Sequence, residues 1–165
     1  MQLRINRYRR SSQETLDDVW CRVDFSLEVC QQLKYQLFND ESLKAAEVEL
    51  LANQVEKLLN GELTKVQEME CIEPYFQFKF LPNLASINNS GSTGIQSDYQ
   101  IVDNCMEWKT FFWNDGAPTN NYIAMTFYLD ELVFLLNYLR LIMGRLDKES
   151  DTVKQMIQRG CLYGE

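Results

Sequence analysis

The stretch from Val19 to Val29 alternates apolar and polar side chains without a break. One face carries Val19, Cys21, Val23, Phe25, Leu27 and Val29, and the other carries Arg22, Asp24, Ser26 and Glu28. A period of two is typical of an antiparallel strand with one face buried and the other in solvent. Side chains on a helix repeat every 3.6 residues, so this segment does not fit an amphipathic helix. We therefore expect a core built on antiparallel sheet.

The other periodic segments predict further strands and helices. Strands are predicted at 3–9, 19–29, 33–37, 65–72, 75–81, 99–113 and 121–129. Val48, Leu51 and Val55 recur at helical spacing and predict a helix over 46–60, with Glu47 and Glu56 on its other faces. A second, leucine-rich helix is predicted from Asp130, as N-cap, to Leu146, and a short one over 150–159, opened by Ser150 and closed by Gly160.

This order defines the expected fold class. It is α+β, with an antiparallel sheet of about seven strands, two main helices and a short helical tail, in the order β-β-β-α-β-β-β-β-α. The 165 residues suit one domain, 1–165, with a core at 1–146 and a tail at 147–165. Phe76, Phe78 and Phe80 share one strand face, and we interpret them as core rather than as a ligand platform. The stretch 82–98 is rich in Asn, Ser and Gly and predicts a loop.

Charge narrows the classes of partner. The net charge is −8, which disfavours nucleic acid and anionic membranes, because both are bound through Lys and Arg. The basic cluster of Arg4, Arg7, Arg9 and Arg10 is interpreted as the charged face of an edge strand rather than as a nucleic-acid arm. An acidic surface suits a basic protein partner. No membrane-spanning run and no secretory signal are visible, so we expect a cytoplasmic protein.

The residue types offer little for catalysis. Histidine is absent from the sequence, which removes the commonest general base and most nucleophile pairs. The five cysteines are widely spaced, with no C-x-x-C pair, so neither a metal nor a cofactor is expected. Asp17 and Asp18, like Glu68 and Glu70, are interpreted as solvated surface carboxylates rather than catalytic pairs. The chain is therefore expected not to be an enzyme.

Two segments resemble a known family. Residues 17–27 (DDVWCRVDFSL) resemble the opening D-x-x-W strand of the wall-associated-protein immunity family, or WapI type, and residues 69–80 (MECIEPYFQFKF) resemble its L-E-P hairpin. The strand over 122–129 and the leucine-rich helix that follows match its C-terminal pattern. The likeness spans about residues 3–146, whereas the loop at 82–98 and the tail after Asp147 exceed the pattern.

The resemblance implies a bacterial immunity protein that neutralises a toxin domain delivered between competing cells. Such proteins act by stoichiometric binding, and their toxins are often nucleases with basic grooves that an acidic chain would suit. The alternative function is a cytosolic scaffold or a self-associating protein-interaction domain. The third class of function, an enzyme, is the least supported, because histidine and catalytic motifs are absent from the sequence.

Five residues are candidates for contact with a protein partner. Asp17, Asp18 and Trp20 form one group, and Trp113 and Asp115 form the other. Each group combines a tryptophan outside the main apolar stripes with acidic neighbours, and tryptophans are common anchors of interfaces. The competing interpretation is that both tryptophans only cap the ends of the core.

Overall fold

The computed structural model describes residues 1–6, 8, 19–29, 31–83 and 103–162. Within these residues, seven strands and three helices follow the predicted order, which confirms the α+β class. The strands are β1 (Gln2–Asn6), β2 (Trp20–Val29), β3 (Leu33–Lys44), β4 (Gln67–Glu70), β5 (Phe76–Leu81), β6 (Cys105–Asn114) and β7 (Ala117–Phe127). The helices are α1 (Ala45–Leu59), α2 (Leu129–Ile142) and α3 (Asp151–Gln158). The predicted loop at 82–98 lies outside the described residues except for Pro82 and Asn83.

The seven strands form two antiparallel sheets. The first has the order β1-β2-β3 and the second the order β4-β5-β6-β7, so every strand pairs with its neighbour in the chain. Helix α1 follows β3 directly and separates it in the chain from β4. The chain therefore starts a second sheet after the helix instead of extending the first.

Strand β2 has the alternation that its sequence predicted. Cys21 and Val23 are fully buried and Phe25 nearly so, while the intervening side chains remain partly accessible. Its partner β3 continues to Lys44, well beyond the predicted end at Leu37. The register between the strands shifts twice, since residues are added to β3 opposite the stretch from Cys21 to Phe25. Such bulges break the period-2 pattern, which explains why sequence periodicity ended the strand too early.

The second sheet contributes most of the aromatic core. Phe76, Phe78 and Phe80 of β5 are at most 1% exposed, which confirms that this stripe is core. Burying one such phenylalanine contributes roughly 1.5–3 kcal/mol. Trp108 of β6 pairs with Phe78 and is fully buried.

Phe25 connects the two sheets. Its ring lies 5.3 Å from that of Phe76 and 5.9 Å from that of Trp108, measured between centroids. Edge-on and offset aromatic pairs at these distances are favourable beyond the area that they bury. Buried side chains of both sheets, α1 and α2 belong to the same core cluster.

Helices α1 and α2 pack on each other and against the sheets. The Arg140 guanidinium of α2 donates to Glu56 of α1 over 2.7 Å. The amide of Ile5 in β1 donates to the Tyr138 hydroxyl over 2.7 Å and ties α2 to the first sheet. No helix in the described part of the chain is long and apolar enough to cross a membrane.

The ends of α2 differ from the predicted ones. The N-cap is Tyr128 rather than Asp130, and the Glu131 carboxylate accepts the Tyr128 amide over 3.0 Å. Leu129, predicted to end the preceding strand, lies in the first turn of the helix and is 56% exposed. The helix ends at Ile142 because Gly144 takes a φ of +69°, a conformation that glycine adopts easily. Helix α3 begins after Ser150, whose hydroxyl accepts the Val153 amide, as predicted.

Candidate protein-binding surface

Trp20 opens strand β2 opposite the end of β3. It pairs with Lys44, whose ammonium nitrogen lies 5.0 Å from the centroid of the indole ring. The side chain is half-buried, in agreement with its predicted place on the polar face of the strand. A cation over an exposed aromatic face contributes about 0.5–1 kcal/mol and orients both side chains. Trp20 therefore keeps accessible surface in a defined orientation.

The two acidic residues predicted to accompany Trp20, Asp17 and Asp18, lie outside the described residues. The next residue, Val19, is buried, and its carbonyl accepts the amide of Ala45 over 2.8 Å. This bond joins the start of β2 to the first residue of α1.

Trp113 lies near the end of β6, beside a tight turn. Its indole stacks on the ring of Tyr75, with centroids 4.3 Å apart and planes 16° from parallel. The chain reverses at Asp115 and Gly116, whose φ angles are +51° and +78°. Two positive φ angles are typical of the type I′ hairpin turn, for which Asp-Gly is a favoured sequence. The predicted turn is therefore confirmed, and Asp115 lies exposed at its tip.

The indole nitrogen of Trp113 is buried, and no hydrogen-bond acceptor contacts it among the described residues. The side chain as a whole is half-buried. The register of β6 against β7 shifts between Phe111 and Trp113, so a bulge reorients the strand there.

Tyr75 connects the second sheet to β3. Its hydroxyl lies 3.5 Å from Asp40 Oδ2, and its carbonyl accepts the amide of Phe111. Nearby, the Tyr35 hydroxyl donates to the carbonyl of Phe111 over 3.3 Å. Burial, with smaller contributions from Tyr75 and Asp40, raises the pKa of Tyr35 to about 12, and burial together with Asp40 raises that of Tyr75. Both tyrosines are therefore neutral donors at physiological pH.

Glu47 holds the β4–β5 turn against the start of α1. One carboxylate oxygen accepts the amide of Lys44 over 2.7 Å, and the other accepts the amide of Ile72 over 2.6 Å. Glu47, predicted on a different face of α1 from the apolar stripe, is nevertheless only 8% exposed. The two backbone bonds satisfy the buried carboxylate. Burial and then Glu47 raise the pKa of the Cys21 thiol to about 11 and also raise that of Cys71.

These contacts connect the two predicted tryptophan sites. At one end of the β4–β5 turn, the amide of Ile72 donates to Glu47, which lies next to Lys44 and Trp20. At the other end of the turn, Tyr75 stacks on Trp113. Ile72 is 62% exposed on this turn. We call this region the tryptophan surface, and it consists of Trp20, Asp40, Lys44, Ile72, Tyr75, Trp113 and Asp115.

Trp20, Trp113 and Asp115 of this surface were candidates from the sequence, whereas Ile72 and Tyr75 were not. Their signal was present in the Glu73-Pro74 dipeptide, which marks a turn and places its flanking residues at a sheet end. Both had instead been assigned to strands. What periodicity does not reveal is that the turn contacts α1 through Glu47 and β3 through Asp40.

Two observations on the described residues bear on small-molecule chemistry. A cleft of about 380 Å³ lies between Leu63, Pro82, Asp103 and Tyr128, and its lining holds no nucleophile paired with a base. No cluster of three metal-ligating side chains occurs among the described residues. Glu68 and Glu70 are exposed as predicted; Glu68 forms an ion pair with Lys79 over 3.2 Å, and Glu70 accepts from Gln77.

Comparison with known proteins places the chain in a family. The model of the WapI-like immunity protein family matches residues 1–147, which include every strand and both long helices and exclude α3. Neither the curated proteins nor the solved structures contain a significant match. A match over this share of the 165 residues is decisive: the chain belongs to the WapI-like immunity protein family.

Proposed function

We propose that this protein binds a cognate toxin domain in the cytoplasm and neutralises it by stoichiometric occlusion, without catalysis. Membership of the immunity family supports a toxin as the partner. The absence of histidine from the sequence supports binding rather than turnover. The toxin contacts the tryptophan surface, which includes Trp20, Trp113 and Asp115 of the five predicted partner-binding residues.

The stacked pair of Tyr75 and Trp113 is the observation that carries this assignment. Aromatic anchors contribute most when they are rigid and reach the centre of an interface. Trp113 is held by the stack and by a two-residue hairpin turn, and Tyr75 by its contact with Asp40. Little side-chain entropy remains to be lost when a partner orders this surface.

Charge defines the class of toxin that fits. Asp40 contacts Tyr75, Glu73 lies two residues before Tyr75, Asp115 lies in the turn after Trp113, and Lys44 lies beside Trp20. With a net charge of −8 on the chain, the long-range field attracts a basic partner and accelerates encounter. A nuclease with a basic substrate groove has this property, and an acidic immunity protein would block that groove directly.

Calorimetric titration against the cognate toxin domain tests the proposal. Trp113→Ala should weaken binding by about 2 kcal/mol, or roughly 30-fold in Kd. Trp20→Ala should weaken it in the same direction. Tyr128→Ala is the matched control, because Tyr128 is 57% exposed but lies at the other end of the β6–β7 hairpin, and it should leave the Kd unchanged.

Circular dichroism of each variant controls for folding. If the unaltered chain does not bind or inhibit the toxin, the proposed function is wrong. If the unaltered chain binds but Trp113→Ala and Tyr128→Ala have equal affinities, the toxin contacts another surface.

A further inference from the structure

Strand β7 forms an edge of the four-stranded sheet and carries no charged residue. Its sequence from Ala117 to Phe127 is APTNNYIAMTF, and no described strand pairs with its outer edge. The segment 121–127 also lacks proline and glycine and is rich in residues with high β-propensity. Such a segment at an open edge readily pairs with another strand.

The other three edge strands of the described sheets are protected. Strand β4 is four residues long and exposes Glu68 and Glu70, and β1 is five residues long and carries Arg4. Strand β3 has charged residues and two register shifts. Charges, short length and bulges are the usual means by which edges avoid pairing. The absence of all three along 121–127 distinguishes β7 as an edge that is open to a second strand.

We propose that the segment 121–127 pairs antiparallel with the same segment of a second copy, which makes a continuous eight-stranded sheet. The symmetric register places Ala124 opposite Ala124, Tyr122 opposite Thr126, and Ile123 opposite Met125. All three pairs are uncharged, so the segments pair without placing like charges opposite each other. This matters for a chain with a net charge of −8, which repels its copies over most of its surface.

The surroundings of the strand fit this occupant. Tyr122 is 47% exposed, and Ala124 and Thr126 are exposed beside it on the open face of the sheet. The nearest charges on that face, Lys109 and Glu107, pair with each other over 3.5 Å. The register shift between β6 and β7 is confined to the Trp113 end, so 121–127 pairs regularly with β6. A strand pair alone is a small interface, and the dimer is therefore weak and reversible.

Sedimentation velocity of the full chain from micromolar to millimolar concentration tests the proposal. The unaltered chain should show a concentration-dependent dimer. Ala124→Lys places two like charges at the dimer axis and should raise the dissociation constant about 30-fold or more. Gln77→Lys is the matched control, because it makes the same charge change on the same sheet two strands away and should leave the dimer intact.

Hydrogen exchange of the unaltered chain provides a measurement that needs no variant. The amides in 121–127 that point away from β6 should become more protected as the concentration rises. Protection of these amides that does not depend on concentration would mean that the chain covers its own edge, and the proposal would fail. It would also fail if the chain stays monomeric throughout the range or if Ala124→Lys and Gln77→Lys dimerise equally. Toxin binding by the tryptophan surface does not depend on any of these outcomes.

Discussion

Glu47 connects the core to the tryptophan surface, and its removal tests that connection. Its two carboxylate oxygens accept the amides of Lys44 and Ile72 over 2.7 and 2.6 Å. Glu47→Gln keeps the shape of the side chain but leaves one oxygen acceptor and one amide group. An amide nitrogen is a donor, so it cannot replace the second bond and instead faces another N–H.

The expected cost follows from these two bonds. A hydrogen bond to a charged group contributes about 1.5–3 kcal/mol, and a buried donor left without an acceptor costs about 1–3 kcal/mol. Because these terms overlap, we expect Glu47→Gln to lower the free energy of unfolding by about 2–4 kcal/mol. For a chain of this size, that loss lowers the Tm by roughly 5–15 °C.

Urea unfolding followed by tryptophan fluorescence measures this loss. Glu56→Gln is the matched control on the same helix, because its ion pair with Arg140 is at the surface, where such pairs contribute about 0–1 kcal/mol. Hydrogen exchange at the amide of Ile72 should accelerate in Glu47→Gln alone. Equal stability losses in the two variants, with unchanged exchange at Ile72, would show that Glu47 does not hold the turn.

Two further predictions concern the thiols and the β6–β7 turn. Burial raises the pKa of Cys21 to about 11 and also raises that of Cys71, so both thiols stay protonated at pH 8. Both should therefore resist alkylation in the folded chain, whereas the exposed Cys161 should react. Peptide mass spectrometry after labelling measures this, and rapid labelling of Cys21 would refute the prediction. Gly116→Ala should lower the free energy of unfolding, measured in urea, by about 1–2 kcal/mol, because alanine is strained at positive φ. No atom lies near the new methyl group, so the loss comes from the backbone alone. Gly116→Asn should lower the free energy of unfolding by less.

Local patterns in the sequence predicted most of the fold. The alternation around Phe25 and the stripe from Phe76 to Phe80 each identify a buried face from neighbouring residues alone, and both faces are buried as expected. The Asp115-Gly116 turn depends only on the φ angles that these two residues tolerate. Features of this kind are determined within a few residues, so the sequence shows them directly.

Features that depend on distant contacts were not predictable in the same way. The length of β3 was underestimated because its register shifts hide the alternation after Leu37. The division of the strands into two sheets is not apparent from strand periodicity, which shows a buried face but not the surface that covers it. The helical spacing around α1 separated Glu47 from the apolar stripe but did not show its burial, since no local signal shows that an amide 25 residues later needs its carboxylate.

The same distinction applies to the tryptophan surface. Alternation placed Trp20 on the polar face, and the turn placed Trp113 at a strand end, but neither pattern shows that one turn connects them. That connection comes from Ile72 and Tyr75, which are positioned by Glu47 and Asp40. A carboxylate within α1 thus fixes the backbone under an exposed apolar residue, so stability and surface shape depend on the same two hydrogen bonds. The proposed occlusion of a toxin requires such a preformed surface for tight binding, because little free energy is then lost in ordering loops.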